Sequence, residues 1–338
     1  MRVGNIFFGK SFFVQKKCAI TLLGKIYKVN LMTAAMMVGG VFVPAYSSQR
    51  TPEEQERIEK EREQRVEKLI GRICKSSPLG KKIVESAIAR GISIGIDGDK
   101  GNSLGSYIPS MKYVSLNEKA SDAKLLSTIV HECRHSEQTP VHDHTYSIYD
   151  SVCEVRAMEA DAMAHECAAV YQMRKAEPET YGAFCERHGG IMKAYETSFE
   201  AQKDPAAAKN EAFKAWYDHA EYVELYDRAT VEFMAMGSLH AGAYKKEIPP
   251  KKMAENVGYV EPEFFTSARA STVSEKTAKD AAKTERGHIR HALKIFNRSK
   301  IKTSADKFFV RAADGTVSAP KQTVAADILL KQKRSAGR

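Results

Sequence analysis

Two histidines stand four positions apart in LLSTIVHECRHSEQ (residues 125–138), and a glutamate follows the first directly: His131, Glu132 and His135. On a helix, residues four apart share one face about a turn apart, so both imidazoles can reach a common ion. Glu132 is rotated by about 100° from His131. That places it beside the ion, where a carboxylate can take a proton from water the ion polarises. An H-E-x-x-H stretch is therefore equipped for hydrolysis at a metal centre. Leu125, Ile129 and Val130 give the stretch a buried approach. Two imidazoles and a carboxylate buried without a partner would be costly, and a cation removes that cost. The competing reading is a solvent-facing helix with two incidental histidines.

A hydrolytic zinc site takes three protein ligands and leaves a fourth position for water. The run SVCEVRAMEADAMAHEC offers Glu154, Glu159, Asp161 and His165, between 19 and 30 residues after His135. That separation allows a turn and an antiparallel return. Glu159 is the expected third ligand, since Ala160 and Ala162 beside it let two helices approach closely. A hydrolase also needs a donor for the oxyanion, and Tyr171, His165, His240 and Tyr244 are the candidates. Asp161 and Asp150 are available to orient the histidines. Other groups invite plainer explanations. His142 and His144 read as surface loop residues, and Cys133 as a structural thiol. His165-Glu166-Cys167 repeats the HEC triplet but has Ala169 where a second histidine would stand. Phe213, Trp216, Tyr217, Tyr222 and Tyr226 read as an aromatic core cluster.

The elements that must position these residues are mostly helical. Thr51-Pro52-Glu53-Glu54 combines an N-cap hydroxyl, a proline at the first helical position and a capping-box glutamate. The helix it opens, to about Cys74, is charged along most of its length. A second helix follows Ser76-Ser77-Pro78 and ends at Gly91. Ile92, Ile94 and Ile96 then alternate with small residues, a strand pattern. Asp97–Asn102 is turn chemistry, and Tyr113–Leu116 reads as another strand. Ser121 is placed to cap the histidine-bearing helix, which should run to about Gln138. Further helices are expected over 148–175, 178–200, 205–237 and 250–258.

The formal net charge of +10 is unevenly spread, with 17 Lys or Arg against 6 Asp or Glu after residue 265. The basicity thus belongs to a C-terminal tail that reads as loosely ordered, with one or two amphipathic helices. No nucleic-acid-binding motif accompanies it, and an acidic partner or anionic lipid would suit it. Nothing in the chain bears on oligomeric state. Near the other end, Leu31–Ala45 carries no charge over 15 residues. It is too short to span a bilayer comfortably, and it has the length of a secretory h-region. Val43 and Ala45 supply small residues for cleavage. Export to the periplasm or medium is expected, with a cytoplasmic or membrane-anchored protein as the alternative. Five cysteines would remain after cleavage, none in a CxxC pair. Scattered thiols with at most one or two disulfides follow.

HECRH followed by EADA resembles the gluzincin type of zinc metallopeptidase. The stretch from GSYIPSMKYVSLNE through VHECRHSEQ to RAMEADAMA is similar, more narrowly, to bacterial domains of uncharacterised substrate assigned as metallopeptidases. The resemblance covers roughly residues 92–173. It implies His131, His135 and Glu159 as zinc ligands, Glu132 as general base, a peptide or protein substrate, and Tyr113–Leu116 as an edge strand lining the cleft. The expected fold is α+β and predominantly helical, with a small antiparallel sheet packed zincin-fashion against the active helix. The expected organisation is a signal peptide or anchor (1–47), a charged helical segment (48–90), a metallopeptidase domain (91–265) and a basic tail (266–338). The alternative function is a non-catalytic metal-binding or interaction protein acting through that tail.

Overall fold

Thr51 begins the first helix as its sequence demands. The Glu54 N–H donates to Thr51 Oγ1 (3.3 Å) and the Thr51 N–H to Glu54 Oε2 (3.1 Å), which is a reciprocal capping box. The computed structural model describes residues 51–139, 147–236 and 248–296 and two short strands at 309–311 and 317–318. The N-terminal segment 1–47, His142 and His144, His240 and Tyr244 lie outside the described residues. By internal packing the chain divides at Gln55/Glu56, and the second unit holds every described element except the first turn of the opening helix.

Helix α1 (Pro52–Ser76) buries only Val66, Leu69 and Ile73, one stripe at helical spacing. Ser77 caps α2 (Pro78–Ala89) by accepting from the Gly80 N–H at 2.9 Å. Gly80 has to be small, because a Cβ there would lie 2.8 Å from Ile73 Cγ2. Three strands follow: β1 (Ser93–Asp97), β2 (Gly105–Ile108) and β3 (Tyr113–Asn117). The sheet order is β1-β3-β2, with β3 parallel to β1 and antiparallel to β2. Two expectations are corrected here. The sheet is mixed and not purely antiparallel: a 3-10 turn at Pro109–Met111 and a left-handed Lys112 (φ 49°) fold β3 back on β2, and β3 then runs alongside β1. Tyr113–Leu116 is the central strand and not an edge. Val114 and Leu116 are fully buried, which suits the middle of the sheet, while the half-buried GSYI of β2 takes the edge.

Helix α3 (Asp122–His135) carries the histidine pair. Ser121 occupies its N-cap position without making a side-chain capping bond; instead Arg65 of α1 holds Asp122 (Nε to Oδ1, 2.8 Å). The 26-residue α4 (Ile148–Met173) is the central helix, buried on nearly every side, with Ala157, Ala160, Ala164 and Ala168 admitting close neighbours. Around it lie α5 (Pro178–Gln202), α6 (Pro205–Trp216), α7 (Ala220–Met236), α8 (Pro250–Val257), α9 (Pro262–Thr266) and α10 (Ala268–Ser271). The single helix expected over 205–237 is two, broken at Tyr217–His219, where Tyr217 turns into the core and Asp218 is taken by Arg269 (2.9 Å). The chain continues as β4 (Thr272–Ser274), the amphipathic α11 (Glu275–Phe296), β5 (Phe309–Arg311) and β6 (Val317–Ser318), and these three strands form a second small sheet in the order β4-β5-β6.

One hydrophobic cluster joins α1, α2, the first sheet and α3. A second, rich in aromatics, joins α4, α5, α6, α8 and α9. The fold is thus α+β and mostly helical. Among the described residues no helix is long and apolar enough to cross a membrane, and Cys74, Cys133, Cys153, Cys167 and Cys185 are all free thiols.

Candidate metal centre

Helices α3 and α4 pack side by side and bring His131, His135 and Glu159 together. One donor atom from each lies within 4.8 Å of the others. The two rings stand edge to face, with centroids 4.8 Å apart and planes at 79°. His131 Nε2 lies 3.4 Å from Glu159 Oε2, and His135 Nε2 lies 3.6 Å from Glu159 Oε1. Among the described residues no other His, Cys, Asp and Glu side chains make such a group.

The far side of each ring is already engaged. His131 Nδ1 lies 3.0 Å from Glu166 Oε2, and His135 Nδ1 lies 2.8 Å from Gln138 Oε1. A carboxylate can only accept, so the His131 Nδ1 carries the hydrogen and its Nε2 lone pair is turned towards Glu159. Glu159 Oε2 is buried and has no hydrogen-bond donor. Lone pairs and a donorless carboxylate oxygen converging in a buried space repel one another unless positive charge sits among them. A divalent cation fits this donor set, and two imidazoles with one carboxylate suit zinc.

Without a cation, a second proton on the His131 ring fills the gap between these groups. Burial opposes charge on His131, yet Glu159 and Glu166 beside it hold its pKa well above the ordinary value. Burial likewise works against the carboxylates, but the histidines outweigh it: Glu159 falls below its usual range and Glu166 is drawn down to about 2. Glu132 differs. Burial pushes its pKa up, against the pull of the two histidines. It is 8% exposed, and the Tyr107 main chain on β2 adds a small downward pull. Gly105 of the same strand makes the close approach of β2 feasible, since a Cβ there would lie 3.3 Å from Glu132 Cγ and 2.8 Å from Thr128 Cγ2.

The remaining candidates are placed elsewhere. Asp161 is turned from the histidine pair and gathers donors: Arg134 Nε, Gln138 Nε2 and the Tyr259 hydroxyl, each at 2.8 Å, while His165 Nδ1 donates to its main-chain carbonyl at 2.9 Å and lies 3.1 Å from its Oδ1. His165 is occupied by these contacts and by Lys209 (3.2 Å). Glu154 borders a small cavity with Thr139 and Asn256. Asp150 serves the start of α4 through Ser147 and accepts from the Ile248 N–H. Tyr171 packs on Tyr195 and Phe199, under Arg174. Cys133 is fully buried.

Three participants escaped sequence reasoning. Glu166 belongs to the second HEC triplet. It lies seven residues after Glu159, two helical turns along the same face, and that spacing was the signal that could have found it. Gln138 lies just beyond the end of α3. Tyr226, read as core, turns its hydroxyl towards the Glu159 carboxylate; burial first, and then Glu159 and Glu132, drive its pKa well up. Its ring packs on Trp216 (6.0 Å) and Tyr222 (6.5 Å), so packing and polar contact coexist in one side chain.

A family model described as "Putative metallopeptidase family (DUF6782)" matches residues 48–255, well over half of the chain. Neither the comparison with curated proteins nor that with solved structures finds a match.

Proposed function

The chain belongs to this "Putative metallopeptidase" family, and on that premise we propose that it is a zinc-dependent, gluzincin-type peptidase with its catalytic centre between α3 and α4. His131, His135 and Glu159 hold the ion in this reading. The observation that carries it is the convergence of both Nε2 atoms on Glu159, whose Oε2 is buried without a donor. When bound, zinc supplies Lewis acidity, polarising the scissile carbonyl and bringing the pKa of water down to about 7.

The chain's own groups do the rest. Glu132 carboxylate takes the proton of the attacking water and delivers it to the leaving amine nitrogen. The upward shift of its pKa suits a base that must later act as an acid. The Tyr226 hydroxyl donates to the developing oxyanion. Glu166 holds the His131 ring in orientation. Strand β2, at the edge of the sheet and in contact with Glu132, can add an extended peptide by main-chain pairing. The substrate is therefore a peptide or protein segment able to lie as a strand. The uncharged Leu31–Ala45 run supports export, with substrates met outside the cytoplasm.

The test is a pair of measurements on the purified protein and its Glu132→Gln variant. Both should bind one equivalent of zinc, and only the wild type should cleave an unstructured peptide library. A protein that binds no zinc, or a variant that cleaves as well as the wild type, ends this reading.

A further inference from the structure

We infer that Gln138 is a positioning residue that sets the tautomer of His135, transmitting to the imidazole the fixed polarity of the buried Asp161 carboxylate. This rests on the reading of His135 as a metal ligand. The chain beyond α3 winds on through three further main-chain bonds, from Ser136, Glu137 and Gln138 N–H to the carbonyls of Cys133, Arg134 and His135. That winding returns the Gln138 side chain to the His135 ring.

An amide presents a donor end and an acceptor end, and its orientation is decided by what it faces. Gln138 Nε2 lies 2.7 Å from Met158 O and 2.8 Å from Asp161 Oδ2. A carbonyl can only accept. Asp161 can only accept too, because Arg134, Tyr259 and His165 converge on it as donors and keep it ionised. The NH2 end of Gln138 must therefore face these two groups, and its Oε1 must face His135 Nδ1, 2.8 Å away. An oxygen acceptor there requires hydrogen on Nδ1, which leaves the Nε2 lone pair facing Glu159. The reversed amide would set oxygen against carboxylate oxygen, and its NH2 would leave His135 with hydrogen on Nε2, unable to ligate. Asp161 thus acts on the metal centre at one remove.

The two histidines are backed unequally. Glu166 places a full negative charge behind His131, whereas His135 has a neutral amide. A carboxylate makes the imidazole it contacts a more basic ligand; an amide fixes its tautomer without that added charge.

The experiment uses the full chain labelled with 15N-histidine and freed of metal, at mildly alkaline pH. Long-range 1H–15N spectra report which ring nitrogen of His135 carries hydrogen, with the signal assigned by its loss in His135→Asn. Hydrogen on Nδ1 is expected in the wild type. Gln138→Leu should lose this preference and bind zinc roughly 10–100-fold more weakly, while the metal-free variant melts close to the wild type. Hydrogen on Nε2 in the wild type, or undiminished zinc affinity in Gln138→Leu, overturns the inference. A wild type that binds no zinc ends the peptidase reading alone, because the tautomer is judged without metal.

Discussion

Tyr226 is neither a proposed ligand nor the proposed base, so its hydroxyl can be removed while His131, Glu132, His135 and Glu159 all stay in place. Tyr226→Phe should keep the ring packing on Trp216 and Tyr222 and bind zinc as the wild type does. With the hydroxyl in its proposed role of oxyanion donor, its loss should lower kcat by roughly 100–1,000-fold, read by steady-state cleavage of a peptide. His188 offers a test that needs no activity. It is 3% exposed and its Nδ1 has no partner. Burial first, and then Arg187, His219 and His131, draw its pKa down to about 4 from 6.5, with Glu166 opposing. The unfolded chain therefore takes up a proton before the folded one does. Stability from the neutral ring is complete above about 6.5 and is lost as pH falls towards about 4. His188→Phe should flatten the pH dependence of the urea midpoint across that window. At this scale, helix geometry alone related His131, Glu132 and His135, whereas Glu159 was one of four candidates on the next helix, and its nearness to both rings needed the packing of α3 on α4. Glu166, Gln138 and Tyr226 were not legible, because each role depends on which atom of another element it meets.

Helix α7 brings Tyr226 to the centre, and α7 is held by the next residue along, Asp227. Its carboxylate receives Arg156 Nε and Nη2, each at 2.6 Å, and both side chains are 1% exposed. Arg156 also donates to Ala270 O (2.7 Å) and Thr272 O (2.8 Å), which ties α4, α7 and the start of β4 together. Even so, burial keeps the Asp227 pKa above its usual value, a sign of how costly that carboxylate would be alone. Arg156→Met should cost about 3–5 kcal/mol in urea unfolding, since it leaves a buried charge unpaired. Adding Asp227→Leu should recover a large part of that loss, because an apolar pair replaces the orphan. Sequence signalled α7 as helix but not its break from α6, where the buried turn at Tyr217 decides. Edge and centre of the sheet were exchanged for a related reason: strand patterns show which residues alternate, not which strand finds two neighbours.

The molecule as a whole depends on its basic C-terminal portion more than composition suggests. Val273 and Ala281 lie in one cluster with Ile148, Val152 and Val231. Glu285 of α11 is fully buried and accepts from the Ile148 N–H at 3.1 Å, at the opening of the helix that carries Glu159. The acceptors Ala270 O and Thr272 O serve Arg156. A chain ended at Phe265 loses all of these, and it strands the Arg156 guanidinium of two acceptors and the first turn of α4 of a buried partner. A chain ended at Phe296 keeps them and gives up β5 and β6. The first truncation should therefore unfold at clearly lower urea concentration, or fail to accumulate as folded protein, and lose zinc affinity with it. The second should stay much nearer the full chain on both counts. Equal midpoints for the two truncations would mean that residues 266–296 contribute nothing to the centre. Composition concealed this dependence because lysine and alanine fill both solvated tails and amphipathic helices. What separates the two here is the phase of Ala278, Ala281, Ala282 and Glu285, four buried positions on one face of α11.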